Sequence, residues 1–265
     1  MRQCERHYLK YNRPVSAPAS ESVWLSQGMS DAPAEDDWLS PREAAYIATL
    51  RFPKRRREFR LARWTAKATI ARALGRALSP ASLRDIVIDR APDGAPRPLV
   101  DGRPAGVYLT MTDRADQAVC LVGPADVRLG CDLELVEPRS RGFVEDYFTE
   151  AEQRLLAGAG GERLSLLANL VWCGKESALK VLRTGLRRDT RSVTVSLPAG
   201  EDVRGWSPME VRTREGAVFS GWWQRFGAFV LTVAATAAFD PPRSLVEPPG
   251  LLSATPAESW REELR

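Results

Sequence analysis

Residues 129–135 alternate strictly, with Leu129, Cys131, Leu133 and Leu135 set against Gly130, Asp132 and Glu134. A β-strand repeats every two residues, so this pattern predicts a strand with one apolar face on a core and both carboxylates on the other face. Carboxylates are depleted in strands, and two on one face repel unless something offsets them. About forty residues later, Trp172-Cys173-Gly174-Lys175-Glu176-Ser177-Ala178-Leu179-Lys180 reads as a helix in which Glu176 and Lys180 share a face. Each segment alone has a plain reading, as a half-exposed sheet or a helix-surface ion pair. Together they mean more. If the helix packs near the strand end, three carboxylates and two lysines converge, which is the inventory for holding a hard divalent cation and a phosphate ester.

Composition narrows the chemistry. The chain has one histidine, His7, in a polar amino-terminal stretch. Ser-His-Asp hydrolysis, Cys-His proteolysis and His-ligated metal chemistry are therefore all but excluded. Cys4, Cys120, Cys131 and Cys173 have no C-x-x-C spacing and read as reduced thiols, not a zinc site or a disulfide frame. Catalysis must rest on carboxylates, lysines, arginines and an oxygen-ligated metal. The 265 residues, 44% hydrophobic, suffice for one large or two small domains. A pI near 9.0 favours acidic partners. The longest apolar run, 228–239, is broken by Thr232 and Thr236 and is too short to span a bilayer. The charged start lacks an apolar signal core, so the expected location is the cytoplasm, without membrane association.

The pattern along the chain predicts an α+β fold. Loose tails are expected at 1–21 and, rich in proline, at 240–265. Ser40-Pro41-Arg42-Glu43 is a capping-box start, and Thr149-x-x-Glu152 is another, opening a helix over 150–157. A helix is predicted over 54–78 with the apolar stripe Phe59, Ala62, Ala66, Ile70, Ala73 and Ala77. Strands are predicted at 84–89, 106–112, 117–122 and 128–135, then at 192–197, 209–213, 218–223 and 228–236. The 54–78 helix also carries Arg56, Arg60, Arg63 and Lys67 at steps of three and four, read either as a solvated basic face or as a grip for anions. No internal sequence repeat is visible.

Gly130-x-Asp132-x-Glu134 followed by Trp172-x-x-Lys175-Glu176-Ser177-x-x-Lys180 resembles the signature of the 4′-phosphopantetheinyl transferases, in particular the surfactin-synthetase-activating type. That pattern is (V/I/L)-G-x-D-x-E, then W-(S/T/C)-x-K-E-(A/S)-x-x-K some forty residues on, and both halves fit in order and spacing. Phe148-Thr149-x-x-Glu152 is similar to the family's F-(S/T)-x-x-E, and Gly94-Ala95-Pro96-Arg97-Pro98 to a relaxed G-(K/R)-P turn. Gly185-Leu186-Arg187 before the 192–197 strand resembles the usual continuation, so the likeness extends over 22–239.

The resemblance implies two similar α/β lobes, a pseudo-dimer of 22–126 and 127–239 joined near 123–127, with the active site in the cleft between them. It implies transfer of the phosphopantetheine arm of coenzyme A to a serine of an acyl or peptidyl carrier protein, with release of adenosine 3′,5′-bisphosphate. By the same resemblance Asp132, Glu134 and Glu176 hold Mg²⁺, Lys180 serves the leaving phosphate and Lys175 assists. Glu152 is equally a helix cap and a candidate base for the serine proton, directly or through a metal-bound water, and the two roles are not exclusive. Arg57, Arg63 and Arg97 are the expected coenzyme A contacts. One departure stands out: where many members have serine followed by histidine, this chain has Thr112-Asp113-Arg114. Thr112 keeps a donor, Asp113 repels phosphate, and Arg114 is expected to supply the missing positive contact. A monomer is expected. The competing readings are a catalytically weak member that only binds carrier protein and, behind it, a basic-helix nucleic-acid binder. Against the last, acidic residues nearly match basic ones and the aromatics near the helix lack a strand-borne stacking pattern.

Overall fold

The computed structural model describes residues 21–200 and 202–254. The first half runs β1 (Val23–Gly28), α1 (Pro41–Thr49), α2 (Pro53–Ala73), α3 (Pro80–Arg84), β2 (Ile86–Arg90), β3 (Pro96–Val100), β4 (Arg103–Pro104), β5 (Val107–Arg114) and β6 (Gln117–Pro124). The second runs β7 (Leu129–Leu135), α4 (Arg141–Tyr147), α5 (Glu150–Leu156), α6 (Gly161–Leu182), β8 (Val193–Ser196), β9 (Ser207–Thr213), β10 (Val218–Phe226), β11 (Phe229–Ala235), β12 (Arg243–Ser244) and α7 (Pro249–Ser253). The chain is a mixed α+β fold with three sheets ordered β12-β1-β6-β5, β7-β11-β10-β9-β8 and β2-β3-β4.

Each half is organised around one long helix on a sheet. Helix α2 lies over β1, β5 and β6, and α6 lies over β7 and β11. The apolar face of β7 (Leu129, Cys131, Leu133 and Leu135) joins Trp24, Val119 and Leu121 of the first sheet in one buried cluster, so the alternation read from sequence is what joins the halves. Strands β5 and β7 each end their own sheet and meet edge to edge, where the Cys131 amide donates to Thr110 Oγ1 at 3.3 Å.

The two long helices are held by the same device. At the start of α1, Glu43 accepts from the Ser40 amide at 3.0 Å and pairs with the buried Lys67 of α2 at 2.6 Å, while its other oxygen takes the Ile88 amide of β2 at 3.4 Å. At the start of α5, Glu152 accepts from the Thr149 amide at 2.7 Å and pairs with the buried Lys175 of α6 at 2.7 Å, and its other oxygen takes the Val195 amide of β8 at 2.7 Å. An aromatic ring covers each ammonium, Trp38 at 5.5 Å and Phe148 at 5.9 Å. Both capping boxes were legible. That they are two copies of one arrangement was not, because only the cap positions recur in sequence.

Three expectations are corrected. The first long helix ends at Ala73 and not at 78, because Gly75 adopts φ +65° just beyond it. The basic stripe is not a free face: Lys67 is fully buried against Glu43, Arg60 pairs with Asp36 at 3.0 Å, and Arg56 donates to the Leu50 carbonyl at 2.6 Å. The carboxyl-terminal tail is structured as far as 254: β12 pairs in parallel with β1, and α7 packs on β1 with Leu251 in the core. Four strands lie outside those predicted: β1, β3, which carries two prolines and resembles a turn in sequence, and the two-residue β4 and β12. Cys120, Cys131 and Cys173 are free and buried as expected, while Cys4 and His7 lie outside the described residues.

Candidate active site

Helix α6 crosses β7 at Gly130. A Cβ there would stand 1.9 Å from the Ser177 carbonyl oxygen, so only glycine permits this approach. The crossing brings Lys180 onto the strand, where its ammonium donates to the Cys131 carbonyl at 2.8 Å and to Asp132 Oδ1 at 2.8 Å. Thr112 Oγ1, from the neighbouring β5, donates to the same Asp132 oxygen at 2.9 Å. Asp132 Oδ2 is buried and accepts no hydrogen bond. Burial works to lower the Lys180 pKa, but Asp132, Cys131 and Glu176 outweigh it and the net shift is upward.

The other two carboxylates share this neighbourhood. Burial and the charge on Asp132 push Glu176 up to about 7, with Lys180 pulling the other way and Glu134 adding to the rise. The same two causes push Glu134 up to about 7 against Arg139, Arg114 and Trp172. Glu134 is engaged at both oxygens. Oε1 accepts from the Trp172 indole at 3.0 Å, and Oε2 accepts from Arg139 at 3.0 Å with Arg114 Nε at 3.6 Å.

The donor set can be tested against a hard divalent cation. A buried carboxylate oxygen without a partner, near a second carboxyl lifted by burial and by the charge on the first, is what such a cation would satisfy; Asp132 and Glu176 fit it. Glu134 does not offer a free oxygen. In keeping with this, among the described residues no group of three or more His, Cys, Asp or Glu side chains is arranged to hold a metal ion.

Two adjoining cavities open nearby, one lined by Lys180 and the other by Asp113. One, of about 410 Å³, is lined by Lys180, Thr110, Tyr108 and the arginines Arg63, Arg90, Arg183 and Arg187, with Gly94, Ala95 and Pro96 at its edge. The other, of about 560 Å³, is lined by Arg42, Arg55, Phe59 and Asp113 and shares Arg63 and Arg90 with the first. Of the expected cofactor contacts, Arg63 lies at their junction, stacked over Phe59 at 4.6 Å and 3.7 Å from Glu43. Arg57 is exposed and lines neither cavity. Arg97 lines neither and pairs with Asp89. Arg114 turns to Glu134 and Glu137, the latter at 3.2 Å, and not into either cavity, so it does not replace the family histidine in the way expected. Asp113 borders the larger cavity, where the surrounding protein and the Glu58 charge raise its pKa and Lys180 opposes them. Arg90, Arg183 and Arg187 line the smaller cavity and are not among the contacts expected from sequence. Arg183 had a signal in sequence, standing three residues beyond Lys180 on the same helix end.

Glu152 and Lys175 are corrected too. Both are fully buried, and besides Glu152 the Lys175 ammonium donates to the carbonyls of Thr190 at 2.9 Å and Val193 at 2.7 Å. Burial drives the Lys175 pKa down against the pull of Glu152. The pair faces the interior of the second half, away from the carboxylate site. The cap is present, and the Glu152 carboxylate is enclosed by it and by Lys175 and Val195.

What the β7–α6 crossing assembles is the whole two-part motif, with both halves in contact through Asp132 and Lys180. Residues 128–215 match the 4′-phosphopantetheinyl transferase superfamily. The matched segment runs from β7 through β9 and contains Asp132, Glu134, Glu176 and Lys180. It spans less than half of the chain, and the cavity arginines Arg42, Arg63 and Arg90 lie outside it. No curated protein matches the chain. Among the described residues, no helix is long and apolar enough to cross a membrane.

Proposed function

We propose that this protein is a Mg²⁺-dependent 4′-phosphopantetheinyl transferase of the surfactin-synthetase-activating type, which converts an apo carrier protein to its holo form. The observation that carries the reading is Asp132: one oxygen is held by Lys180 and Thr112, the other is buried without a partner, and an arginine-lined cleft opens beside it. Asp132 and Glu176 are the residues that would hold the cation. When bound, it supplies charge neutralisation for the pyrophosphate of coenzyme A.

In the reaction, the carrier serine oxygen forms a bond to the β-phosphorus, and the bond from that phosphorus to the bridging oxygen breaks. Adenosine 3′,5′-bisphosphate departs with the electron pair. Lys180, kept protonated by its carboxylate neighbours, faces the negative charge that develops on the leaving phosphate. Arg63 and Arg90, and Arg183 once it exchanges Asp93 at 2.7 Å for a phosphate, bind the phosphates of coenzyme A before the reaction. Because Glu152 is sealed in the interior, Glu176 is the carboxylate that accepts the serine proton. The chain's net charge of +4 suits an acidic carrier domain.

The deciding experiment incubates an apo carrier protein with coenzyme A, Mg²⁺ and the protein, then reads the intact mass of the carrier. The expected result is a gain of one phosphopantetheine, lost with Asp132→Ala or a chelator. An unchanged carrier mass across acyl and peptidyl carriers would leave the binding-only reading in its place.

A further inference from the structure

The resemblance gives Glu134 the same task as Asp132 and Glu176. Its contacts here give it another. The Trp172 indole occupies one carboxylate oxygen at 3.0 Å and the Arg139 guanidinium the other at 3.0 Å, with Arg114 approaching the second at 3.6 Å. Its side chain is 14% exposed, so these partners, and not water, satisfy it. Arg139 in turn donates to Asn169 of α6 at 2.7 Å and lies over the Phe143 ring of α4 at 4.8 Å. Phe143 and Tyr147 both pack against Trp172, with ring centroids 5.0 and 5.3 Å away. One carboxylate on β7 therefore ties together α4, α6 and the aromatic wall beside Asp132.

We propose that Glu134 is a positioning residue, which anchors Arg139 and Trp172 and so fixes the aromatic wall, and is not a cation ligand. Moving Glu134 to a cation would leave Arg139, whose side chain is only 9% exposed, as a buried charge without its carboxylate partner. Asp132 has no such competing claim on Oδ2. The proposal rests on the transferase reading only in taking Asp132 and Glu176 as the cation site.

The test measures Mn²⁺ affinity and the bound-ion spectrum by electron paramagnetic resonance for the full chain and for Glu134→Gln, Asp132→Asn and Glu176→Gln. Glu134→Gln is expected to lower affinity by less than about tenfold, the effect of one lost charge nearby, with the spectrum unchanged. Asp132→Asn and Glu176→Gln are expected to lower it by about a hundredfold or more. Trp172 emission, taken as the difference between each protein and its Trp172→Phe counterpart, is expected to shift in Glu134→Gln alone of the three. A double-mutant cycle on unfolding midpoints completes the test: Glu134→Gln and Arg139→Gln together are expected to lower the midpoint no more than either does singly. An affinity loss at Glu134→Gln equal to that of Asp132→Asn, or additive midpoint losses, would overturn the proposal. Should Glu134→Gln fail to fold, Glu134→Asp takes its place. If the unsubstituted protein binds no Mn²⁺, the cation reading of the site falls, while the cycle and the Trp172 emission still decide the role of Glu134.

Discussion

The ammonium of Lys175 lies 2.7 Å from a carboxylate oxygen of Glu152, and neither side chain is exposed at all. Lys67 and Glu43 repeat the arrangement at 2.6 Å in the other half of the molecule. A buried pair of this kind adds little over a well-packed apolar pair, but removing one member leaves an uncompensated charge. Its use here is geometric. Lys175 precedes Glu176 in α6, so fixing its side chain among Glu152, Thr190 and Val193 fixes the rotation of the helix that carries Glu176 and Lys180 to β7.

Breaking this pair should therefore destabilise without directly touching chemistry. Lys175→Met and Glu152→Gln are each expected to cost about 3–5 kcal/mol in urea unfolding. The fraction of Glu152→Gln that remains folded should turn over at close to the original rate, with an unchanged pH profile. A lost acidic limb in that profile, with turnover sharply reduced at full stability, would return Glu152 to the role of base.

Asp132 behaves in the opposite way. Asp132→Asn keeps the shape and an acceptor for Thr112, and Lys180, which loses its ion pair, is 28% exposed, so the unfolding midpoint should fall less than on breaking the fully buried Lys175–Glu152 pair. Carrier modification, followed by intact mass, should fall by about a thousandfold or more, as for loss of a principal electrostatic group. Activity within tenfold of the original would remove Asp132 from the centre of the site.

The crossing point gives a steric prediction. Gly130→Ala places a methyl group 1.9 Å from the Ser177 carbonyl oxygen, and both sides of that contact are backbone. The helix must lift, at a cost of about 3 kcal/mol, and Lys180 must draw away from Asp132. Loss of both stability and activity is expected, measured by thermal unfolding and by the carrier assay on the folded fraction. A stable, active Gly130→Ala would mean that α6 does not sit this close to β7.

The two raised carboxyls set a pH dependence. Glu134 and Glu176 have pKa values of about 7 in the folded chain against about 4.5 when unfolded. The folded state thus holds protons that the unfolded state has released, so stability falls as pH rises from the lower value to the higher. For Glu134 the penalty above pH 7 is at most about 3 kcal/mol. A divalent cation offsets repulsion only between ionised groups. Mg²⁺ should then raise the melting temperature more at pH 8 than at pH 5, and equal gains at both would contradict the assignment.

What the sequence determined were the elements whose signal is local. The alternation of 129–135 specified β7 and its two faces, and Ser40 and Thr149 specified where α1 and α5 begin, because strand period and capping act within a few residues. The likeness of Asp132, Glu134, Glu176 and Lys180 to a family signature was also legible, since it depends on order and spacing alone. Only the tertiary structure decided which of those side chains are free to act. Glu134 faces two arginines brought from β5 and from the turn before α4, Lys175 meets a glutamate from another helix, and Arg97 is held by a strand neighbour. It also decided that Arg63, Arg90 and Arg183 share one cleft and that Leu251 returns to the core from a proline-rich segment. The physical reason is the same in each case: whether a charge is spent or available depends on partners distant in the chain, and periodicity carries no record of them.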